Sequence, residues 1–102
     1  MTDIYAKALF IQHGFAITDT GGGSRAWHKT VTGSRGTFHA LVTDEAGDNL
    51  PDYADIVATI HKDADTGAIG DSEALWDDSF TYAAECLAEL LPSLNYYVGG
   101  DL

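Results

Sequence analysis

The sequence predicts an α+β domain, a two-layer sandwich in which an antiparallel sheet of three or four strands carries an N-terminal and a C-terminal helix on one face. Three observations lead there. Apolar residues recur at helical spacing near both ends of the chain: Ile4, Ala8 and Ile11 first, then Phe80, Ala83, Ala84, Leu87 and Leu91. Between these ends, three runs alternate apolar and polar residues with the period of two that marks a half-buried strand. Gly, Asp, Asn and Ser separate the runs, which is turn chemistry. At 102 residues the chain has room for one core, so residues 1–102 form a single domain.

The first helix spans Thr2 to His13, with Thr2 as N-cap, Asp3 in the first turn, and Tyr5 and Leu9 widening the apolar stripe. Gly14 stands just past its end, where a left-handed conformation is common. A short extended stretch at Phe15 and Ile17 stops at Asp19-Thr20-Gly21-Gly22-Gly23. Arg25 to Val31 is the first strand, and Thr37 to Thr43 the second, with Phe38, Ala40 and Val42 on one face. Gly33-Ser34-Arg35-Gly36 joins the two as a hairpin. Asp44 to Pro51 is a loop. Ala54 to His61 is the third strand, with Ile56, Ala58 and Ile60 inward, and Asp63 to Gly70 is another turn. Ala68-Ile69 or Ala74-Leu75-Trp76 adds a short edge strand. The last helix runs from Ser79 to Leu91, capped by Asp78 or Ser79 and stopped by Pro92. The remaining tail, Ser93 to Leu102, is expected to be loosely held.

Charge is the strongest compositional signal. Sixteen acids stand against five bases, for a net charge of −11. The bases (Lys7, Arg25, Lys29, Arg35 and Lys62) all lie at or before position 62, where seven acids leave a balance of −2. From Asp63 onward there are nine acids and no base. Such a field repels DNA, RNA and anionic membrane, since neutralising phosphates takes clustered Lys and Arg. It attracts a basic protein surface, at a rate that salt reduces. The simpler alternative is that the acidity serves solubility, or adaptation to high salt. No apolar run is long enough to span a bilayer, and the N-terminus lacks a secretory pattern. The single cysteine, Cys86, cannot form an internal disulfide and reads as a small buried hydrophobe on the helix stripe. These features predict a cytoplasmic protein.

Sites of chemistry are few. The glycines at 21–23 lead into a strand rather than a helix, and no Gly-Lys-Ser or Gly-Lys-Thr follows, so they read as a turn and not a phosphate loop. His28, His39 and His61 lie one to a strand, and the inward assignments above put His39 and His61 on the opposite, exposed face, where His28 can join them. Three imidazoles there are candidate zinc ligands if the strands fall into register; a solvated histidine face is the plainer reading. Asp44 to Asn49 and Asp63 to Gly67 lack the ligand spacing of calcium loops. Neither a serine elbow nor a nucleophile with a nearby base is present, so the chain reads as a non-enzyme without a cofactor. What remains is surface. Asp71, Glu73, Asp77 and Asp78 lead toward the last helix, and Glu85 and Glu89 lie one turn apart on its outer face. With Trp76 and Tyr82 as aromatic anchors, these residues are the candidate partner-binding strip.

The runs His13-Gly14-Phe15, Asp19 to Gly23, and Leu41-Val42-Thr43-Asp44 with Gly47 and Leu50-Pro51 resemble a group of short proteins of bacteriophages and mobile elements. The resemblance covers about the first half of the chain, and the group has no assigned chemistry. In size, acidity and lack of catalytic motifs the chain is similar in kind to anti-CRISPR and other phage anti-defence proteins, several of which bind the basic nucleic-acid channels of their targets. The resemblance implies an inhibitor, monomeric or homodimeric, set against the Lys/Arg surface of a CRISPR-Cas or other nucleic-acid-binding defence complex in the host cytoplasm. A second expectation is a non-catalytic accessory module of a phage or mobile element that binds through apolar residues such as Trp76, Tyr96 and Tyr97. A third is a small metal-binding protein using His28, His39 and His61.

Overall fold

The computed structural model describes residues 6–21, 23–46, 49–51, 56–63 and 74–99. The predicted cap at Thr2, the apolar Ile4 and Tyr5, the Ala68-Ile69 edge, Asp71, Glu73 and the last three residues of the tail lie outside them. The fold class is α+β, as predicted, but the sheet has five strands. In chain order the elements are α1 (Ala6–Gln12), β1 (Ala16–Gly21), β2 (Ser24–Gly33), β3 (Gly36–Thr43), β4 (Ile56–Lys62), β5 (Trp76–Phe80) and α2 (Ala83–Val98). The sheet is an antiparallel meander in the order β1-β2-β3-β4-β5.

The core lies on one face of this sheet. Alternation along β2, β3 and β4 turns Trp27, Val31, Phe38, Ala40, Val42, Ile56, Ala58 and Ile60 inward, and α2 closes over them with Ala83, Cys86, Leu87, Leu90, Leu94 and Val98. From α1, Phe10 enters the same core, stacked on Trp27 at 5.4 Å between ring centroids and edge-on to Phe15 at 5.6 Å. The stretch after α1 is a strand in its own right because Ile17 and Thr18 pair with Trp27 and Ala26. At the end of this pair Gly21 stands opposite Ser24, after a shift of register between Asp19 and Gly21.

Three sequence expectations require correction. Among the described residues of α1 the buried one is Phe10, while Ala8 and Ile11 of the expected stripe face solvent. Neither Asp78 nor Ser79 caps the last helix. Both are strand residues, as is Asp77, and they lie opposite Ala58, Val57 and Thr59 respectively, while Phe80 pairs with Ile56 instead of joining a helical stripe. The helix begins at Ala83, with Tyr82 as its N-cap and no side-chain capping bond. Finally, Pro92 does not stop α2, and residues 93–98 are its last turns rather than a loose tail. An interior proline costs roughly 3 kcal/mol through its missing N–H and its clash with the preceding turn. Leu94 and Val98, both fully buried, return about 3–6 kcal/mol together, which outweighs it. The Ser93 hydroxyl donates to the Glu89 carbonyl at 2.8 Å.

The hairpin turn anchors the far end of α2. Arg35 N–H donates to the Val98 carbonyl at 3.0 Å, and Gly99 takes a left-handed φ of 108° that ends the helix. A Cβ on Gly33 would run into the Val98 carbonyl oxygen, and one on Gly99 into the Ser34 hydroxyl, so both contacts require glycine. At the opposite end of the sheet, Lys29 donates to the His13 carbonyl at 2.7 Å beyond the end of α1, with its ammonium 5.9 Å from the centre of the Phe15 ring.

Candidate functional site

The face of the sheet away from the helices is polar and ordered by strand register. Alternation places Thr18, Ala26, His28, Thr30, Thr32, Thr37, His39, Leu41, Thr43, Val57, Thr59, His61 and Asp77 there. All three candidate histidines share it. His39 stands directly opposite His61, and His28, which faces Leu41, is the diagonal neighbour of His39. Contrary to the expectation of exposed histidines, His39 and His61 are each only 8% exposed. Leu41 and Ala26 are buried beside them, so this face is closely packed despite its polarity.

The rings are held by a chain of hydrogen bonds. His39 Nε2 lies 2.6 Å from Asp63 Oδ1, and a carboxylate only accepts, so that nitrogen carries the proton. In the neutral ring His39 Nδ1 is then a lone pair. His28 Nε2 reaches it at 2.8 Å and the Thr30 hydroxyl at 3.1 Å, while Thr30 and His28 Nε2 are 3.0 Å apart. Behind His28, its Nδ1 is 3.5 Å from the Thr18 hydroxyl. Burial, and secondarily the neighbouring His39, lowers the His28 imidazole below its ordinary 6.5. His61 takes another direction, its Nε2 lying 3.0 Å from the Thr59 hydroxyl. Among the described residues no three of His, Cys, Asp and Glu converge as a metal-ion cage would require. The structure therefore brings together His28 and His39 but not the predicted trio, and it adds Asp63. That residue was legible as the next same-face position after His61, two residues on, but its place beside a Gly- and Asp-rich segment read as turn. Asp63 N–H donates to the Thr37 carbonyl at 3.0 Å and so prolongs the ladder by one position.

The acidic strip occupies the β5 edge and the neighbouring face of α2. Asp77, Asp78, Tyr82, Glu85 and Glu89 are all exposed. Strand alternation divides the first two: Asp78 lies on the helix side of the sheet and Asp77 on the histidine side. Asp78 and Glu89 both act on Cys86. Burial, first, and then these two carboxylates push its thiol up to about 12. Acids from β5 and α2 thus share one neighbourhood, and among the described residues none of the four carboxylates at 77, 78, 85 and 89 is in an ion pair. Trp76 is only partly exposed, packed on the core and stacked on Phe80 at 6.5 Å, whereas Tyr82 is open to solvent. Tyr97 donates its hydroxyl to the Leu75 carbonyl at 3.0 Å, and Tyr96 is exposed with the Arg35 guanidinium over its ring. Among the described residues no helix is long and apolar enough to cross a membrane. No protein family model matches the chain, and no curated protein or solved structure matches it either.

Proposed function

We propose that the chain is a non-catalytic inhibitor of the phage anti-defence kind, which sets an acidic face against the basic, nucleic-acid-binding surface of a host complex. The observation that carries this reading is the convergence of Asp78 from β5 with Glu89 from α2 around Cys86, flanked by Glu85 and the exposed Tyr82, with no ion pair to neutralise them among the described residues. Carboxylates on a rigid strand and helix present fixed negative charge, and Arg and Lys bind such groups with charge-assisted, often bidentate bonds. Tyr82 adds an amphipathic ring of the type favoured at the centre of interfaces. The partner is a Lys/Arg surface such as that of a CRISPR-Cas or related defence complex, met in the host cytoplasm by a monomer or homodimer.

The strip that does this work is Asp78, Tyr82, Glu85 and Glu89. Asp77 faces the other side of the sheet and contributes only to the general field. Capture from bacterial lysate with the wild-type chain, the Asp78→Asn/Glu85→Gln/Glu89→Gln variant and Asp77→Asn tests this division, at low and moderate salt. The wild type and Asp77→Asn should retain a nucleic-acid-binding protein that the triple variant loses, and moderate salt should weaken the capture. Equal retention by all three forms would assign the acidity to solubility and move the search to Tyr96 and the apolar edge.

A further inference from the structure

We propose that His28 Nε2 and His39 Nδ1 form a two-imidazole site for a divalent transition-metal ion, of the zinc or nickel type, on the face of the sheet away from the helices. This goes beyond the acidic strip and does not depend on it. The two nitrogens converge at 2.8 Å, and the Thr30 hydroxyl, 3.0 and 3.1 Å from them, closes a small triangle of polar atoms. Each ring is also held from behind. His39 Nε2 donates to Asp63 Oδ1 at 2.6 Å, and His28 Nδ1 faces the Thr18 hydroxyl at 3.5 Å. A carboxylate behind a histidine fixes the tautomer that exposes the opposite nitrogen and strengthens it as a donor, an arrangement recurrent around bound metal ions.

The scaffold suits such a site. Both ligands stand on paired strands whose register is set by the tight Gly33–Gly36 hairpin, and side chains on strands are placed more firmly than those on loops. In a tetrahedral zinc site with bonds of about 2.0–2.1 Å, two nitrogens lie about 3.3 Å apart. The pair must therefore open by roughly half an ångström, which small ring rotations supply. When both rings are neutral, binding releases no net proton: the His28 proton moves from Nε2 to Nδ1, which then donates a hydrogen bond to the Thr18 hydroxyl, and the freed Nε2 lone pair bonds the metal. Imidazole donors select zinc, nickel or copper over calcium and magnesium, which take oxygen ligands. The net charge of −11 raises the local concentration of any cation. With two protein nitrogens, the remaining positions stay open to water or to a further donor. His61, bonded to Thr59, is outside the set.

Calorimetric titration of the metal-free chain with zinc or nickel chloride tests the proposal, with magnesium and calcium as comparisons. One saturable equivalent of zinc or nickel should bind, and neither magnesium nor calcium should compete. Affinity should fall more than tenfold in His28→Ala and in His39→Ala, by about 10–100-fold in Asp63→Asn, and remain unchanged in His61→Ala. Circular dichroism of each variant separates lost ligands from lost fold. Ring nitrogen resonances of the wild type provide a readout that needs no substitution: zinc should shift those of His28 and His39 and leave those of His61 in place. Absence of saturable binding, or binding that survives the His28→Ala/His39→Ala double variant, would overturn the site.

Discussion

Cys86 shows how a single side chain reports on its surroundings. Its thiol is wholly buried, and burial together with Asp78 and Glu89 pushes it from its ordinary 9.0 up to about 12. A group whose pKa is raised by folding contributes stability that is complete below its unfolded value and is lost as pH rises through the folded one. Urea midpoints should therefore fall from about pH 9 toward pH 12 more steeply in the wild type than in Cys86→Ala. Parallel slopes for the two proteins would show that the thiol ionises as freely folded as unfolded. The burial of Cys86 was legible from its place on an apolar stripe. The Asp63–His39–His28 chain was not, because it depends on which residues face one another across β2, β3 and the end of β4. Alternation can place three histidines on one face; it cannot aim their rings, and His61 Nε2 lies 3.0 Å from the Thr59 hydroxyl rather than beside His28 and His39.

Among the elements, the central strands were read well and the helices less so. Turn residues bracket β2 and β3 closely, and the inward residues of β3 and β4 are those that alternation selects. In α1 tertiary contact with Trp27 decides which residue is buried, and among the described residues of the helix that is Phe10. Phe10→Ala should accordingly cost about 3–5 kcal/mol, and Ile11→Ala less than about 0.5 kcal/mol, in denaturant unfolding. Comparable losses at both positions would mean that α1 is rotated relative to this packing. The boundary between β5 and α2 was missed for a related reason. Asp78 and Ser79 make good helix caps in isolation, but five residues beside the exposed edge of β4 satisfy more backbone groups as a strand. Pro92 misled in the opposite sense, since burial of Leu94 and Val98 carries the helix past it. The end of that helix rests on close approach to the hairpin. Gly33→Ala should lower stability by about 1–3 kcal/mol, measured as a fall in thermal midpoint, whereas an unchanged midpoint would show that the turn and Val98 separate readily.

At the scale of the whole molecule, the sheet divides the surface into two chemically distinct regions. The face away from the helices carries threonines and histidines, and the β5 edge with α2 carries carboxylates that form no ion pair among the described residues. Net charge was legible at once, but the placing of Asp78 and Glu89 about Cys86, and the separation of Asp77 onto the other face, follow from a strand whose last two residues, Ser79 and Phe80, sequence reading had assigned to the helix. An exposed edge strand also invites pairing with other chains, and acids at Asp77 and Asp78 oppose that by mutual repulsion. The proposed function rests on the acidic strip, which a competition experiment tests. Once a nucleic-acid-binding protein has been captured, its affinity for labelled nucleic acid is measured with increasing amounts of the wild-type chain and of the Asp78→Asn/Glu85→Gln/Glu89→Gln variant. The wild type should displace the nucleic acid, and the variant should need at least about tenfold more protein to do so. Displacement by both forms at the same concentration, or binding of the wild type without displacement, would contradict the proposed function.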